Sequence, residues 1–308
     1  PVAICTFRRS EALRAALESL CACEPIDVPW ELIVVDNAAE DAVRTLVEGF
    51  ADRLPVRYVA EPTTGTSHAR NRAVREARAP VILFTDDDVT FDRRWLACMA
   101  AAIEDQGSYD FWGGRVEPVW QAPAPRWFDI ELCPMLGDCI VRYQQGDEPR
   151  PWNPDGPRHD PPFYTANLAL RIERIIEAGY FDTSVGHSGA KRMGMEDSLM
   201  VQAIAAAGGR GWYAADAVVH HPVPPERMTR RFARQFAWRQ GWLSARTHRQ
   251  PRVPRWFYRV ALGKLFAGAG RWLRGLVTLD PAQRFAGRYF MVFNVSKLYH
   301  ALRGGDDR

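Results

Sequence analysis

Short unbroken apolar runs alternate with amphipathic stretches through the first third of the chain. Val2-Ala3-Ile4-Cys5 stops at Thr6-Phe7-Arg8-Arg9, and from Ser10-Glu11 onward Leu13, Ala16, Leu17 and Leu20 fall on one helical face. Leu32-Ile33-Val34-Val35 predicts a second strand ending at Asp36-Asn37, followed by a helix around 43–50 and a third strand over 56–59. Thr64-Gly65-Thr66-Ser67 opens a helix through Ala69, Ala73 and Val74, and Val81-Ile82-Leu83-Phe84 predicts a fourth strand that ends at Thr85-Asp86-Asp87-Asp88. Apolar runs separated by helices predict a mostly parallel sheet covered on both faces. Polar residues gather where those strands end, at the rim where open α/β sheets bind ligands.

Past residue 107 the pattern changes. Gly113-Gly114-Arg115-Val116 reads as an extended strand, and 118–162, dense in Pro and Trp, reads as a long loop of the kind that carries function. A helix is expected over 168–178 with Gly179 as its C-cap, and another over 196–207 closed by Gly208-Gly209. Residues 217–221 predict a short strand broken by Pro222; an Arg- and aromatic-rich helical region follows, interrupted at 251–254 and at Pro281.

Composition narrows the class. With 308 residues, 47% hydrophobic and 11% aromatic, the chain has ample core for one large α/β domain plus an appendage, which excludes disorder. No apolar stretch approaches the roughly 20 residues a spanning helix needs. The net charge of +3 hides a strong asymmetry: residues 226–308 carry 18 Lys and Arg against 4 acids, while the first 225 residues carry 22 against 33. An acidic body is suited to cations and a basic tail to an anionic surface. The six cysteines follow no metal or redox spacing, and the chain starts directly in a strand-like run. The expectation is a reducing, cytoplasmic location.

Candidate chemistry concentrates at the strand ends. Three adjacent carboxylates, Asp86-Asp87-Asp88, directly after a buried strand are costly without a cation, and hard divalent ions take such oxygen ligands; a solvated acidic turn is the plain alternative. Asp36 can accept hydrogen bonds from a base or ribose, or make an Asx turn. Gly65-Thr66-Ser67-His68-Ala69-Arg70-Asn71 offers a helix N-terminus and an Arg to an anion, without Walker or GxGxxG spacing. Glu196-Asp197 starts a helix, where the dipole alone favours acids, and can also supply a general base. Of His220-His221 at most one faces a common site, because adjacent strand residues point opposite ways. Asn167 can bind sugar hydroxyls or cap a helix; Trp112, Trp120, Trp127 and Trp152 can stack on sugars or pack in the core.

These segments, joined by Thr165-Ala166-Asn167-Leu168-Ala169-Leu170, Gly179-Tyr180-Phe181-Asp182, Gly194-Met195-Glu196-Asp197 and His221-Pro222-Val223-Pro224-Pro225, resemble in order and spacing a family 2 glycosyltransferase of GT-A fold over roughly residues 1–245. The resemblance implies a nucleotide-binding half over 1–110 and an acceptor and catalytic half over 111–225, while the charge asymmetry sets apart a basic helical region over 226–308. It implies a nucleotide-sugar donor, with UDP the commonest, a carbohydrate or lipid-linked acceptor, and Mn²⁺ or Mg²⁺. Thr6, Phe7, Arg8, Asp36, Asn37, Arg70, Asp86 and Asp87 would bind the nucleotide. Asp88, Asp86 and His221 would bind the metal, with Asp87 leaving the ligand ambiguous by one position. Asp197 would be the base, with Glu196 beside it, and Asn167, Gly114, Trp112 and His220 would meet donor or acceptor sugar.

The basic tail interleaves Arg with Phe, Trp and Leu at helical spacing, which predicts attachment to the inner face of the cytoplasmic membrane. A helical cap and a homodimer interface are the alternatives. A sugar nucleotidyltransferase would place a Gly-rich basic loop where Thr6-Phe7-Arg8-Arg9 stands. A nucleic-acid-binding protein would leave the ordered carboxylates of the body unexplained, and no nucleic-acid partner is expected.

Overall fold

The apolar runs become strands and the periodic stretches become the helices that cover them. The computed structural model describes residues 1–155, 160–188, 191–192, 194–247 and 253–303. It divides into two compact units, one of Pro1–Pro118 with Val141–Pro222, the other of Val119–Ile140 with Val223–Arg308. Sequence reading put residues 119–140 with the body and the boundary at 225; here that segment groups with the C-terminal helices.

In the first unit β1 (Val2–Thr6), α1 (Ser10–Cys21), β2 (Leu32–Asp36), α2 (Asp41–Glu48), β3 (Val56–Ala60), α3 (Thr66–Glu76) and β4 (Val81–Asp86) alternate strictly. Then come β5 (Thr90–Phe91), α4 (Trp95–Asp105), β6 (Phe111–Trp120), β7 (Arg150–Pro151), β8 (Asn167–Arg171) and α6 (Ile172–Glu177), with α5 (Leu136–Cys139) between β6 and β7 in the chain but in the second unit. A small hairpin of β9 (His187–Ser188) and β10 (Lys191–Arg192) precedes α7 (Glu196–Ala206) and β11 (Gly211–Val223). The main sheet runs β3-β2-β1-β4-β8-β6-β11-β5, with β7 also on β11. Pairing is parallel from β3 through β4 and antiparallel where β8 meets β4 and β6. Because β2 and β4 flank β1 on opposite sides, the order reverses at β1, and the crevice at its carboxyl end is where such sheets bind ligands.

Two expected elements differ. Leu168-Ala169-Leu170, expected at the start of a helix, is the middle of β8, and the helix begins only at Ile172. A short apolar run fits a buried helix or a strand sandwiched between two others equally well, and here β4 and β6 bury both of its edges. The strand expected to break at Pro222 continues to Val223. The Val218 carbonyl accepts from Asp92 next to β5, so residues 218, 220 and 222 turn their peptide groups to that side. The partner β5 ends at Thr90 opposite His220, and no ladder remains for the missing proline N–H to interrupt.

The second unit holds α8 (Arg230–Thr247), α9 (Arg255–Val277) and α10 (Pro281–Arg303). Pro251 and Arg252 of the expected break lie outside the described residues. Its core gathers Trp127, Phe128, Leu136, Phe285 and Tyr289. Gly287 of α10 admits the α9 backbone so closely that a Cβ there would lie 2.5 Å from the Trp272 nitrogen. Among the described residues no helix is long and apolar enough to cross a membrane.

One buried amide ties the middle of the first unit's sheet together. Asn167 donates from Nδ2 to the carbonyls of Arg115 and Ala217 and accepts from the Trp95 indole at 2.9 Å. A Cβ on Gly114 would lie 2.1 Å from that Nδ2, so the glycine makes room for the bracket. Truncation in Asn167→Ala strands a buried indole N–H and two carbonyls, and is expected to cost about 3 kcal/mol, lowering the melting temperature by roughly 10 °C. Thermal melting checks this, and an unchanged transition would remove the bracket from the account.

Candidate active site

Backbone alternation sorts the aspartate triplet as it leaves β4. Asp87 turns inward and is buried; its Oδ2 accepts from the Thr6 hydroxyl at 2.7 Å and its Oδ1 from Arg9 at 3.3 Å. Asp86 and Asp88 stay half-buried and converge with buried His221 of β11, one ligand atom from each lying within 4.8 Å of the others. His221 Nε2 is 3.7 Å from Asp88 Oδ1, and Arg9 reaches the other Asp88 oxygen at 3.0 Å. Two carboxylates and an imidazole suit Mn²⁺ and also admit Mg²⁺. The two outer aspartates and the histidine form this donor set, while both oxygens of Asp87 are engaged by the end of β1.

Arg70 joins this cluster to a second one. It projects from α3, is buried, and forms ion pairs with Glu196, the first residue of α7, and with Asp86 at 3.8 Å. Gly194 and Met195 adopt φ of +55° and +79°, a left-handed entry that turns the chain into α7. Asp197 next to Glu196 is half-buried; it accepts from the Ser198 N–H at 2.7 Å and the Thr165 N–H at 3.3 Å. The other Glu196 oxygen is buried with no hydrogen-bond partner among the described residues. Gly186, at φ +104°, passes close by: a Cβ there would lie 3.6 Å from the Glu196 carboxylate.

Proton affinities follow from this crowding. Lost hydration lifts Asp86 from the usual 3.8 to about 7; Arg70 opposes the rise and Asp88, Asp87 and Asp197 add to it. Asp197 is also raised, by burial first and then by the Glu196 charge, against Arg70 and the two backbone N–H groups. Burial alone would lower the Arg70 guanidinium, but Glu196, Asp86 and Asp197 outweigh it and hold the charge firmly in place. The site is a strongly negative pocket with a fixed cation at its centre.

The remaining nucleotide-site candidates divide by exposure. Phe7 and Arg8 project from the end of β1 into solvent, Arg8 at φ +56° with its guanidinium 5.3 Å from the Phe7 ring centroid and 3.8 Å from Glu40. Thr6, Asp36 and Asn37 are buried and engaged. Asp36 accepts from the Ala38 and Glu40 N–H groups at 2.9 and 2.7 Å and from the Tyr58 hydroxyl. Asn37 donates to the Glu61 and Thr63 carbonyls and accepts from the Gly65 N–H, so it shapes the loop into α3.

Of the sugar-site candidates, only His220 is partly exposed, on the strand face opposite His221, with Nδ1 4.0 Å from Glu117. Asn167, Gly114 and fully buried Trp112 lie inside the sheet's packing rather than against an open site. An Asn before an apolar run looks the same whether it faces a ligand or a neighbouring strand.

Sequence reading missed Arg9 as the counter-charge of the triplet, though it stands three residues past Thr6 at the same strand end. It also missed why α3 and α7 meet. Asn71 makes a two-way amide bracket with the Phe181 backbone at 2.9 Å, and the Ser67 hydroxyl serves the Asp182 and Val185 carbonyls. Those contacts bring the 181–186 segment, and with it Glu196, against Arg70.

With this geometry in hand, known proteins give a consistent picture. The sequence profile of the family described as Glycosyl transferase family 2 matches residues 2–156. The succinoglycan biosynthesis protein ExoM of Rhizobium meliloti (strain 1021) is 29% identical over 248 residues, 78% of this chain and 72% of ExoM. The glucosyl-dolichyl phosphate glucuronosyltransferase of Haloferax volcanii is 24% identical over 226 residues, 71% of this chain and 68% of its own length. Among solved structures, the mannosyltransferase PcManGT from Pyrobaculum calidifontis, in complex with GDP-Man and Mn²⁺, shares the fold at TM-score 0.57 and 20% identity. That alignment covers 99% of this chain and 75% of PcManGT. The architecture is that of the GT-A glycosyltransferases, and since the family profile spans half of the sequence, including every residue from β1 through the aspartate triplet, the chain belongs to glycosyl transferase family 2.

Proposed function

We propose that this glycosyltransferase is a metal-dependent inverting enzyme. It moves a sugar from a nucleoside diphosphate donor to a hydroxyl of a glycan, lipid-linked or secondary-metabolite acceptor. The observation that carries the reading is Arg70, which binds Glu196 and Asp86 together and so joins the Asp86–Asp88–His221 cluster to the start of α7. A nucleotide-sugar donor is supported by family membership and by the GDP-Man of the Pyrobaculum neighbour, whose complex also contains Mn²⁺.

Asp86, Asp88 and His221 would hold the cation, which supplies Lewis-acid relief of the negative charge building on the departing diphosphate. The other steps belong to side chains. Phe7 and Arg8, exposed at the end of β1, offer a ring face and a charge to the nucleotide, while Thr6, Asp36, Asn37 and Asp87 hold the pocket wall from behind. The Thr165 and Ser198 N–H groups hold the Asp197 carboxylate, and the Arg70–Glu196 pair fixes the start of the helix that carries it. The Asp197 carboxylate, its proton affinity raised by burial, takes the acceptor hydroxyl proton as that oxygen attacks the anomeric carbon. Attack opposite the leaving diphosphate is a single displacement, and it inverts the anomeric centre.

The names of ExoM and the Haloferax enzyme, a succinoglycan biosynthesis protein and a glucosyl-dolichyl phosphate glucuronosyltransferase, favour an acceptor carried in envelope or polysaccharide assembly. The basic helical region over 226–308 would then serve as a peripheral contact with the inner membrane face. A panel of UDP, dTDP and GDP sugars, scored by Mn²⁺-dependent nucleotide release, identifies the donor.

Asp197→Asn should lower turnover by roughly 10²–10⁴-fold while donor affinity, measured by calorimetry, stays nearly constant. A parallel loss of both would move the base elsewhere. The metal reading has its own pH signature. Asp86, lifted to about 7 against 3.8 when free, holds a proton in the folded chain that the unfolded chain has lost. This group's contribution to stability therefore declines as pH rises from about 4 to 7, and a bound cation replaces the proton. The melting-temperature gain on adding Mn²⁺ is expected to be small near about pH 5.5 and several degrees larger near about pH 8. Equal gains at both values, or no gain, would contradict the Asp86 ligand assignment.

A further inference from the structure

Helix α9 presents two faces of different character. Phe257, Ala261, Gly268 and Gly275 are buried, and the two later glycines admit α10 at close range: a Cβ on Gly275 would lie 2.5 Å from the Arg284 nitrogen. At 100° per residue, Leu262, Phe266, Leu273 and Val277 fall within a sector of roughly 60° on the other side. They are 44%, 73%, 55% and 85% exposed, and Leu279 in the following turn is 77% exposed. Single exposed aliphatics are ordinary, but a stripe running along most of a helix is not.

The three helices around the stripe carry charge of one sign, and the one acid beside it, Asp280, accepts from the Ala282 and Gln283 N–H groups at the start of α10. Helices α8 and α9 carry five Lys or Arg each and α10 carries four, with no Asp or Glu in any of the three. Exposed Arg255, Arg259 and Arg274 stand on or beside the stripe. A second copy of this surface would bring like charges together in a two-fold contact. A nucleic acid would satisfy the cations but leave the leucine and valine side chains in water. A bilayer with anionic headgroups over acyl chains matches both halves of the pattern, and a stripe running about 24 Å along the helix suits an in-plane orientation.

We propose that α9 lies flat in the headgroup layer of an anionic phospholipid bilayer, with Leu262, Phe266, Leu273 and Val277 among the acyl chains and the surrounding arginines on lipid phosphates. This deepens the membrane reading of residues 226–308 by naming the face that inserts, and it does not depend on the chemistry of the active site.

The test is vesicle flotation of the whole protein without nucleotide sugar, using mixed phosphatidylcholine–phosphatidylglycerol vesicles and pure phosphatidylcholine ones. Wild-type protein should float with the mixed vesicles only, and less at high salt. The double variant Phe266→Ser with Leu273→Ser should bind roughly 30-fold or more weakly, with an unchanged melting temperature because both side chains are exposed. A variant that floats as well as wild type would overturn the insertion face while leaving charge-driven membrane attachment standing. Failure of the wild type to float would remove both. A wild-type dimer that the double substitution splits, with no vesicle binding, would assign the stripe to a second copy instead.

Discussion

The architecture of the candidate active site depends on one buried guanidinium. Arg70 lies between Glu196 and Asp86, in a pocket that also holds Asp87, Asp88 and Asp197. Without the cation the two acid clusters would repel across a region of low hydration. Without Glu196 a buried arginine would lose its main partner, and breaking such a pair by removing one member typically costs about 3–5 kcal/mol. The ion pair thus makes the Asp86–Asp88–His221 cluster and the start of α7 parts of one assembly. It also leaves the site with an excess of negative charge, which is the electrostatic condition for holding a divalent ion.

The aspartate triplet works by the same economy of geometry. Residues leaving a strand alternate direction, so the outer two aspartates turn toward His221 and the middle one turns back to Thr6 and Arg9. Asp87 anchors the turn to β1, and the spacing of one residue between Asp86 and Asp88 lets their carboxylates reach a common point. Arg9 offsets the charge of the anchor and of Asp88 together.

The second unit solves a different problem. Its three long helices, α8, α9 and α10, carry cations and no carboxylates, so they gain nothing from ion pairs among themselves. They rely instead on close backbone approach at Gly241, Gly268, Gly275 and Gly287 and on the aromatic cluster of Trp127, Phe285 and Tyr289. Close packing on one side of α9 is compatible with an apolar stripe on the other, because Gly268 and Gly275 bring the backbones together while Phe257 and Tyr258 reach Lys297 and the Ala301 carbonyl of α10.

The strand-helix alternation of the first 90 residues, and the polar strand ends at Thr6, Asp36 and Asp86, could be read directly, because period and punctuation are local properties. Family membership was equally legible, since it rests on ordered motifs. Local pattern failed at Leu168-Ala169-Leu170 and at Pro222, where the neighbouring strands settle whether an apolar run is a strand and whether a missing N–H matters. It was also silent on which polar residues face the crevice. Asn37 and Asn167 look like ligand contacts in the chain, yet tertiary packing spends their hydrogen bonds on loops and strands far away in sequence. Burial, direction and partner are properties of the assembled sheet, and they separated Asp86 from Asp87, His221 from His220, and the cation at Arg70 from the other arginines of the chain.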